Sequence, residues 1–304
     1  VGAAAASPAF ANLAATSTAF ASAATASAST ATSPGSATLI ASTKHSGDVD
    51  VLSAGSLQIL MEKSVGPGFH KATGYTLVDT SHGSSDLAAD IKAKTQVADV
   101  FVSASPAVNA TLEGAANGSW VSWYATFASS PLVLGYYPKS KFATDLRTEP
   151  WYDVITKPGF LVGRTNPADD PGGVLQVKAL DETATSKSLP ALKTLATETK
   201  DVFEEDALEG DVESGQLDAG FMYLADANSD DLPHVDLTGV NLAGNYTITV
   251  VAHAPHLAAA EAFVKYLLGP AGQAEMRADE FKIVSPAKVT GAGIPSGLKS
   301  IFGT

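Results

Sequence analysis

The sequence predicts an α/β protein of two lobes, each a mixed, mainly parallel sheet flanked by helices, and three observations carry that prediction. From Gly47 onward, short apolar runs with strand character alternate with segments of helical periodicity. Two long strand-like runs, at 127–137 and 246–252, bracket the middle third, so the chain leaves a first lobe and later returns to it. Such paired crossovers form a hinge that lets lobes close on a ligand. Finally, two distant segments share one design: Gly55-Ser56 and Gly83-Ser84-Ser85 each follow a strand-like run and open a helical pattern. The division that follows is a first lobe of 47–129 and 249–304, a second lobe of 130–248, and a leader or tether of 1–46.

The elements are justified in order by periodicity and punctuation. Residues 49–54 are uniformly apolar enough for a buried strand, and 57–69 place Leu57, Leu60, Met61 and Val65 on one helical face that ends near Gly66-Pro67-Gly68. A strand at 76–79, a helix at 86–94 and a strand at 98–104 complete the first lobe's opening unit. Beyond the long strand 127–137, a short strand at 160–164 leads into a turn-rich loop, 165–173, and a helix at 174–180. Two prolines flanking Asp169 and Asp170, followed by two glycines, give that loop a defined shape. A helix at 206–214 stops at Gly215, a strand occupies 219–224, and after the strand 246–252 an amphipathic helix, 257–268, closes at Gly269-Pro270.

Composition excludes several functions. With 304 residues and 45% apolar content the chain can build real cores. It has no Cys, so disulfides, thiolate metal sites, Cys nucleophiles and a lipid-modified Cys are excluded. Residues 1–43 carry no charge and consist mostly of Ala, Ser and Thr. Small-x-small steps such as Ala21-Ser22-Ala23, with Val rather than Met at position 1, read as a processed, exported protein. Beyond this segment no apolar run is long enough to span a bilayer. The formal charge of −13 argues against nucleic acid and anionic membranes as partners.

The repeated helix mouths point to an anion. The first helical turn leaves backbone N–H groups without intrahelical partners and carries the positive end of the macrodipole. Glycine lets the main chain come close, and the hydroxyls of Ser56, Ser84 and Ser85 add donors. A site of this kind works at short range and needs no favourable net charge. Molybdate and tungstate, dianions offering only acceptors, suit a pocket of donors; sulfate has the same charge and shape, and protonated phosphate would use an acceptor such as Asp169 or Asp170.

Six segments in order carry a resemblance: Ala-Gly-Ser-Leu at 54–57, Gly-Ser-Ser-Asp-Leu-Ala at 83–88, Ala-Asp-Val-Phe-Val-Ser-Ala at 98–104, Phe-Ala-Ser-Ser-Pro-Leu-Val-Leu at 127–134, Gly-Arg-Thr-Asn-Pro-Ala-Asp-Asp-Pro-Gly-Gly at 163–173 and Val-Glu-Ser-Gly-Gln-Leu-Asp-Ala-Gly-Phe-Met-Tyr at 212–223. Together they resemble the molybdate/tungstate-binding proteins of ABC importers, which have the type II periplasmic binding protein fold. The resemblance implies that Ser56, Ser84 and Ser85 donate from the first lobe, that the loop holding Asp170 and Gly172 supplies a backbone donor, that Glu205 or Asp206 stands at another helix-start amide, and that the Tyr223 hydroxyl reaches the ligand. The tungstate-preferring branch adds two carboxylates to the metal; Asp170 keeps one, and Met222 stands where the other would be. The expected ligand is therefore a tetrahedral oxyanion held by hydrogen bonds, with no cofactor and no metal beyond its own. The implied setting is extracytoplasmic, in the periplasm or at the cell surface. The implied partners are a membrane permease and its ATPase, served by a monomeric binding protein that is not an enzyme.

Two other readings stay open on the residues. A binding protein for another solute, such as an organic acid or Fe(III), would draw on Arg164 or the acidic residues; a carboxylate ligand in particular suits a bidentate Arg. A Ser hydrolase has weak support, because no Gly-x-Ser-x-Gly elbow occurs and no base is placed beside Ser56 or Ser84, although His82, His253 and His256 exist.

Overall fold

The computed structural model describes residues 47–303. The expected leader or tether, 1–46, lies outside the described residues. Ten strands form one curled mixed sheet: β1 (Asp48–Ala54), β2 (Thr76–His82), β3 (Val100–Ser103), β4 (Trp123–Tyr136), β5 (Val162–Thr165), β6 (Val202–Phe203), β7 (Ala219–Tyr223), β8 (His234–Asp236), β9 (Ala243–Val250) and β10 (Lys282–Gly291). Their order is β2-β1-β3-β9-β4-β7-β5-β6, with β8 and β10 also on β4. The outer parts are parallel, β1 with β2 and β3, and β5 with β6 and β7. The centre is not: β4 runs antiparallel to β7, β8, β9 and β10.

β4 carries the architecture. Up to Pro131 it pairs with β9, and from Leu132 onward with β7. One strand thus belongs to both halves, and proline, which gives no N–H to a ladder, stands at the exchange of partners. The return passes through 237–242, where the Leu132 N–H donates to the Leu242 carbonyl at 2.9 Å. β9 then pairs with β3 and the first part of β4 over its whole length, so residues 243–248, which the sequence division places in the second lobe, hydrogen-bond to strands of the first.

The first half packs β1 and β9 against the helix Leu257–Leu268, which buries Ala259, Ala260, Phe263, Val264 and Leu267. This spacing of three and four residues is the apolar stripe read from the sequence. The helical stretch after β1, residues 58–73, does not stop at Gly66-Pro67-Gly68 as the sequence suggests. A wide π turn over Met61–Val65 resets the hydrogen-bond register, so Pro67 falls at the start of a fresh stretch, where no N–H is needed. That stretch runs on to Thr73 and ends at Gly74, whose φ of 86° and N–H bond to His70 close it. In the second half, the helix Pro171–Lys187 lies on β5 and β7 and packs against Pro190–Thr197.

Candidate functional site

The two Gly-Ser mouths sit where the pattern places them, at the C-terminal ends of parallel strands. β1 runs directly into Gly55-Ser56, and β2 into Gly83 and the helix Ser84–Ala93. The loop from Asn166 to Asp170 meets the second mouth. The Ser85 N–H donates to the Asp169 carbonyl at 3.1 Å, and a Cβ on Gly83 would lie 2.5 Å from that carbonyl oxygen. At the first mouth, Glu205, the first residue of the helix Glu205–Ser214, turns its carboxylate onto Gly55 and accepts from the Ser56 N–H. Glycine at 55 makes room for this approach: the carboxylate fills the space a Cβ would take, so a side chain there would displace it.

The two serine hydroxyls are held in one sense. Ser56 Oγ accepts from the Tyr246 hydroxyl at 2.9 Å, and the buried Ser84 Oγ accepts from the Ala104 N–H at 3.2 Å. Each has its acceptor face engaged by the protein, which leaves its own proton to donate. Neither contact involves a histidine; His82 pairs with Asp90 at 3.5 Å on its own side of the mouth.

Asp170 is a helix cap. Its Oδ1 accepts from the Gly172 N–H at 2.9 Å, and its Oδ2 from the Gly173 N–H at 3.0 Å and the Thr165 hydroxyl at 2.5 Å. These bonds satisfy the first orphan amides of the helix Pro171–Lys187. Consequently the Gly172 N–H, expected from the resemblance to face a ligand, is directed to Asp170. Burial still pushes the Asp170 carboxyl up from its ordinary value, against the lowering effect of these donors. Arg164 is likewise accounted for. It is buried, and its guanidinium donates to the carbonyls of Leu195 (3.3 Å), Thr165 (3.2 Å), Ala196 (3.1 Å) and Glu198 (2.6 Å), closing the helix Pro190–Thr197. An Arg164→Met change strands two buried carbonyls, Thr165 and Ala196, and two part-buried ones, and is expected to cost about 3 kcal/mol of stability in urea unfolding. Unchanged stability would mean those carbonyls find other donors.

Beside the first mouth lies a centre that sequence reasoning found only in part. Tyr223, at the end of β7, is 2% exposed, and its hydroxyl is buried without a hydrogen-bond partner. Its ring meets that of Tyr246 edge-on, 6.0 Å between centroids. Asp226, Glu205 and Glu209 gather beside it, with oxygens within 4.8 Å of one another. Burial, then neighbouring carboxylates, raises all three carboxyls well above their ordinary values: Asp170 acts on Glu205, Asp226 on Glu209, and Glu205 on Asp226. Burial, together with Asp170, Glu205 and Asp226, raises the Tyr223 phenol, so it stays protonated. Glu209, Asp226 and Tyr246 escaped the sequence reading, although two local spacings point to them. Glu209 is four residues after Glu205 on one helix face, and Asp226, three after Tyr223, caps the next helix by accepting the Tyr223 N–H at 2.9 Å. Met222 faces the other way, into an apolar cluster with Val133, Leu208 and Val212, and offers no ligand atom here.

Two α/β halves sharing a strand, with helix starts at the ends of parallel strands, are the architecture of the periplasmic binding proteins. The chain belongs to the bacterial extracellular solute-binding proteins, a family whose profile matches residues 49–282. It is 28% identical over 259 residues, 84% of this chain and 77% of the relative, to a Haloferax volcanii protein provisionally named an ABC transporter molybdenum-binding protein. A molybdate/tungstate-binding protein of Pyrococcus abyssi is 23% identical over 235 residues, 60% of this chain and 68% of that one. The fold is that of the Azotobacter vinelandii periplasmic molybdate-binding protein, with a TM-score of 0.63 at 21% identity over 78% of this chain and 99% of that one. The family is one of solute-binding proteins and not an enzyme class. Among the described residues no helix is long and apolar enough to cross a membrane.

Proposed function

We propose that this protein captures a tetrahedral oxyanion, molybdate or tungstate, outside the cytoplasm and delivers it to the permease and ATPase of an ABC importer. The observation that carries the reading is the orientation of the Ser56 and Ser84 hydroxyls. Both accept from the protein and so present protons at helix starts, where backbone amides and the macrodipole add positive potential. The buried, unpartnered Tyr223 hydroxyl is a further donor of the kind a dianion needs. Names of relatives, molybdenum-binding and molybdate/tungstate-binding, support the same ligand class.

On this reading Ser56, Ser84, Ser85 and Tyr223 donate to the anion. Glu205 and the Asp169 carbonyl are acceptors that hold the Ser56 and Ser85 amides until the anion takes their place. The lobes are the two halves that share β4, and they close through the contact of Gly83 with the loop at Asp169. An organic acid has less support, since Arg164, the residue suited to clamp a carboxylate, is spent on main-chain carbonyls. Isothermal titration with molybdate, tungstate, sulfate and phosphate at one pH and salt concentration tests the reading. The expected result is tight one-to-one binding of molybdate or tungstate and far weaker sulfate. A Ser56→Ala, Ser84→Ala double variant is expected to bind about 100-fold more weakly, since each serine removes a donor to a charged acceptor. Absence of heat with all four anions, or a double variant that binds like the wild type, overturns it.

A further inference from the structure

A second binding feature lies beside the serine mouths and has the opposite chemistry. The oxygens of Glu205, Glu209 and Asp226 come within 4.8 Å of one another, and Asp226 is 4% exposed. Carboxylates so placed repel one another, and none of the groups acting on these three is cationic. Two buried polar atoms at this cluster also lack partners. Asp226 Oδ1 accepts no hydrogen bond, while Oδ2 is occupied by the Tyr223 N–H. The Tyr223 hydroxyl, 2% exposed and in the field of Glu205 and Asp226, has none either. A buried carboxyl oxygen without a partner is not explained by an oxyanion, which brings only more acceptors. It is explained by a cation that takes a lone pair from each oxygen.

We propose that Glu205, Glu209 and Asp226 bind a hard divalent cation of the calcium class. Ligand oxygens around one calcium stand about 2.3–2.6 Å from the metal, so opposed pairs are separated by up to about 5 Å, which these carboxylates meet. The route in is a cavity of about 470 Å³ lined by Glu209 and Asp226 and, further out, by Asp206, Glu213, Asp230 and Asp231. Lys63 is the cation on that lining, and its charge acts on Asp230 at the rim. A negatively lined cleft concentrates cations and directs them inward. Each carboxylate retains a place in the fold without metal: Asp226 caps a helix, and Glu205 rests on the Ser56 amide.

The test is a calcium titration by calorimetry of the chelator-treated protein with no oxyanion present, repeated with Mn²⁺ followed by electron paramagnetic resonance. Saturable one-to-one binding is expected, with a dissociation constant of about 1 mM or tighter. Asp226→Asn and Glu209→Gln should each weaken it at least ~10-fold, as loss of an anionic ligand does. His256→Ala should leave it unchanged. It probes the other acidic group, Asp50, Asp99 and His256, in which Asp99 already accepts from the Asp50 N–H and from the His256 N–H and ring. No binding of either ion by the wild-type protein, or binding that both carboxylate variants keep, overturns the proposal. Because no oxyanion enters the experiment, either result leaves the oxyanion reading to its own titration.

Discussion

A Gly83→Val protein is expected to bind molybdate about 100-fold more weakly than the wild type, a loss of about 2.7 kcal/mol, while remaining folded. The backbone at Gly83, φ −49° and ψ 125°, is open to any L-residue, so the change brings no local strain. The difficulty is across the cleft, where a Cβ at this position meets the Asp169 carbonyl oxygen at 2.5 Å and its carbon at 3.0 Å. Both atoms belong to the main chain of a loop pinned by the Asp170 cap, so they cannot rotate aside as a side-chain tip would. The contact must open, which separates Ser85 from the loop and leaves the ligand partly solvated. Gly83→Ala should fall between valine and wild type. Calorimetry gives the affinity, and small-angle scattering gives the accompanying opening. Wild-type affinity in the valine variant would mean that capture does not require this contact.

The ligand-free protein should lose stability as pH rises from 5 to 8, and Asp226→Asn should remove part of that loss. A carboxyl raised in the folded state binds its proton more tightly there than in the unfolded chain. Stability therefore falls with rising pH between the unfolded value, about 4, and the folded one. Asp79, buried beneath the hydroxyls of Ser53 and Ser81, and Asp230 are both pushed up to about 6. Glu205, Glu209 and Asp226 carry the effect to higher pH. His256 acts in the same direction. Its hydrogen bond to Asp99 raises it, so its contribution is complete below the unfolded value of about 6.5 and is lost as pH passes the folded one. In chelator, the Asp226→Asn protein should melt several degrees above wild type at pH 8 and level with it at pH 5, since asparagine can still accept from the Tyr223 N–H. A midpoint that climbs with pH, or a variant less stable at pH 8, would contradict this account.

Strands and helices with regular patterning were legible in the sequence. The helix Leu257–Leu268 has the bounds its periodicity sets, and β7 ends one residue from the expected position. The paired Gly-Ser mouths were legible because a tight main-chain approach selects those residue types. What escaped depended on contacts distant in sequence. β10 is half exposed and pairs with β4 from more than 150 residues away, and its mixed composition carries no clean period. Arg164 looked like a ligand clamp because sequence does not reveal that a helix end arrives to use its donors. The acidic run 204–213 carries no local mark that separates its exposed members, Glu204, Asp206 and Glu213, from Glu205 and Glu209, which differ because Gly55 and Asp226 come from elsewhere to meet them.

Because β4 passes unbroken from one half to the other, the halves cannot part as two bodies on a slack tether. On the proposed reading, opening flexes a continuous sheet at Pro131, where the strand has no amide to lose from its ladder. Such a joint behaves as an elastic element with a preferred rest angle, and because the ligand-free halves already meet at Gly83 and Asp169, parting them to release a solute works against a restoring force. The stiffness of a few residues around 131 then sets how long a captured ligand is retained, and residence time can change by substitution there without any alteration to the groups that touch it.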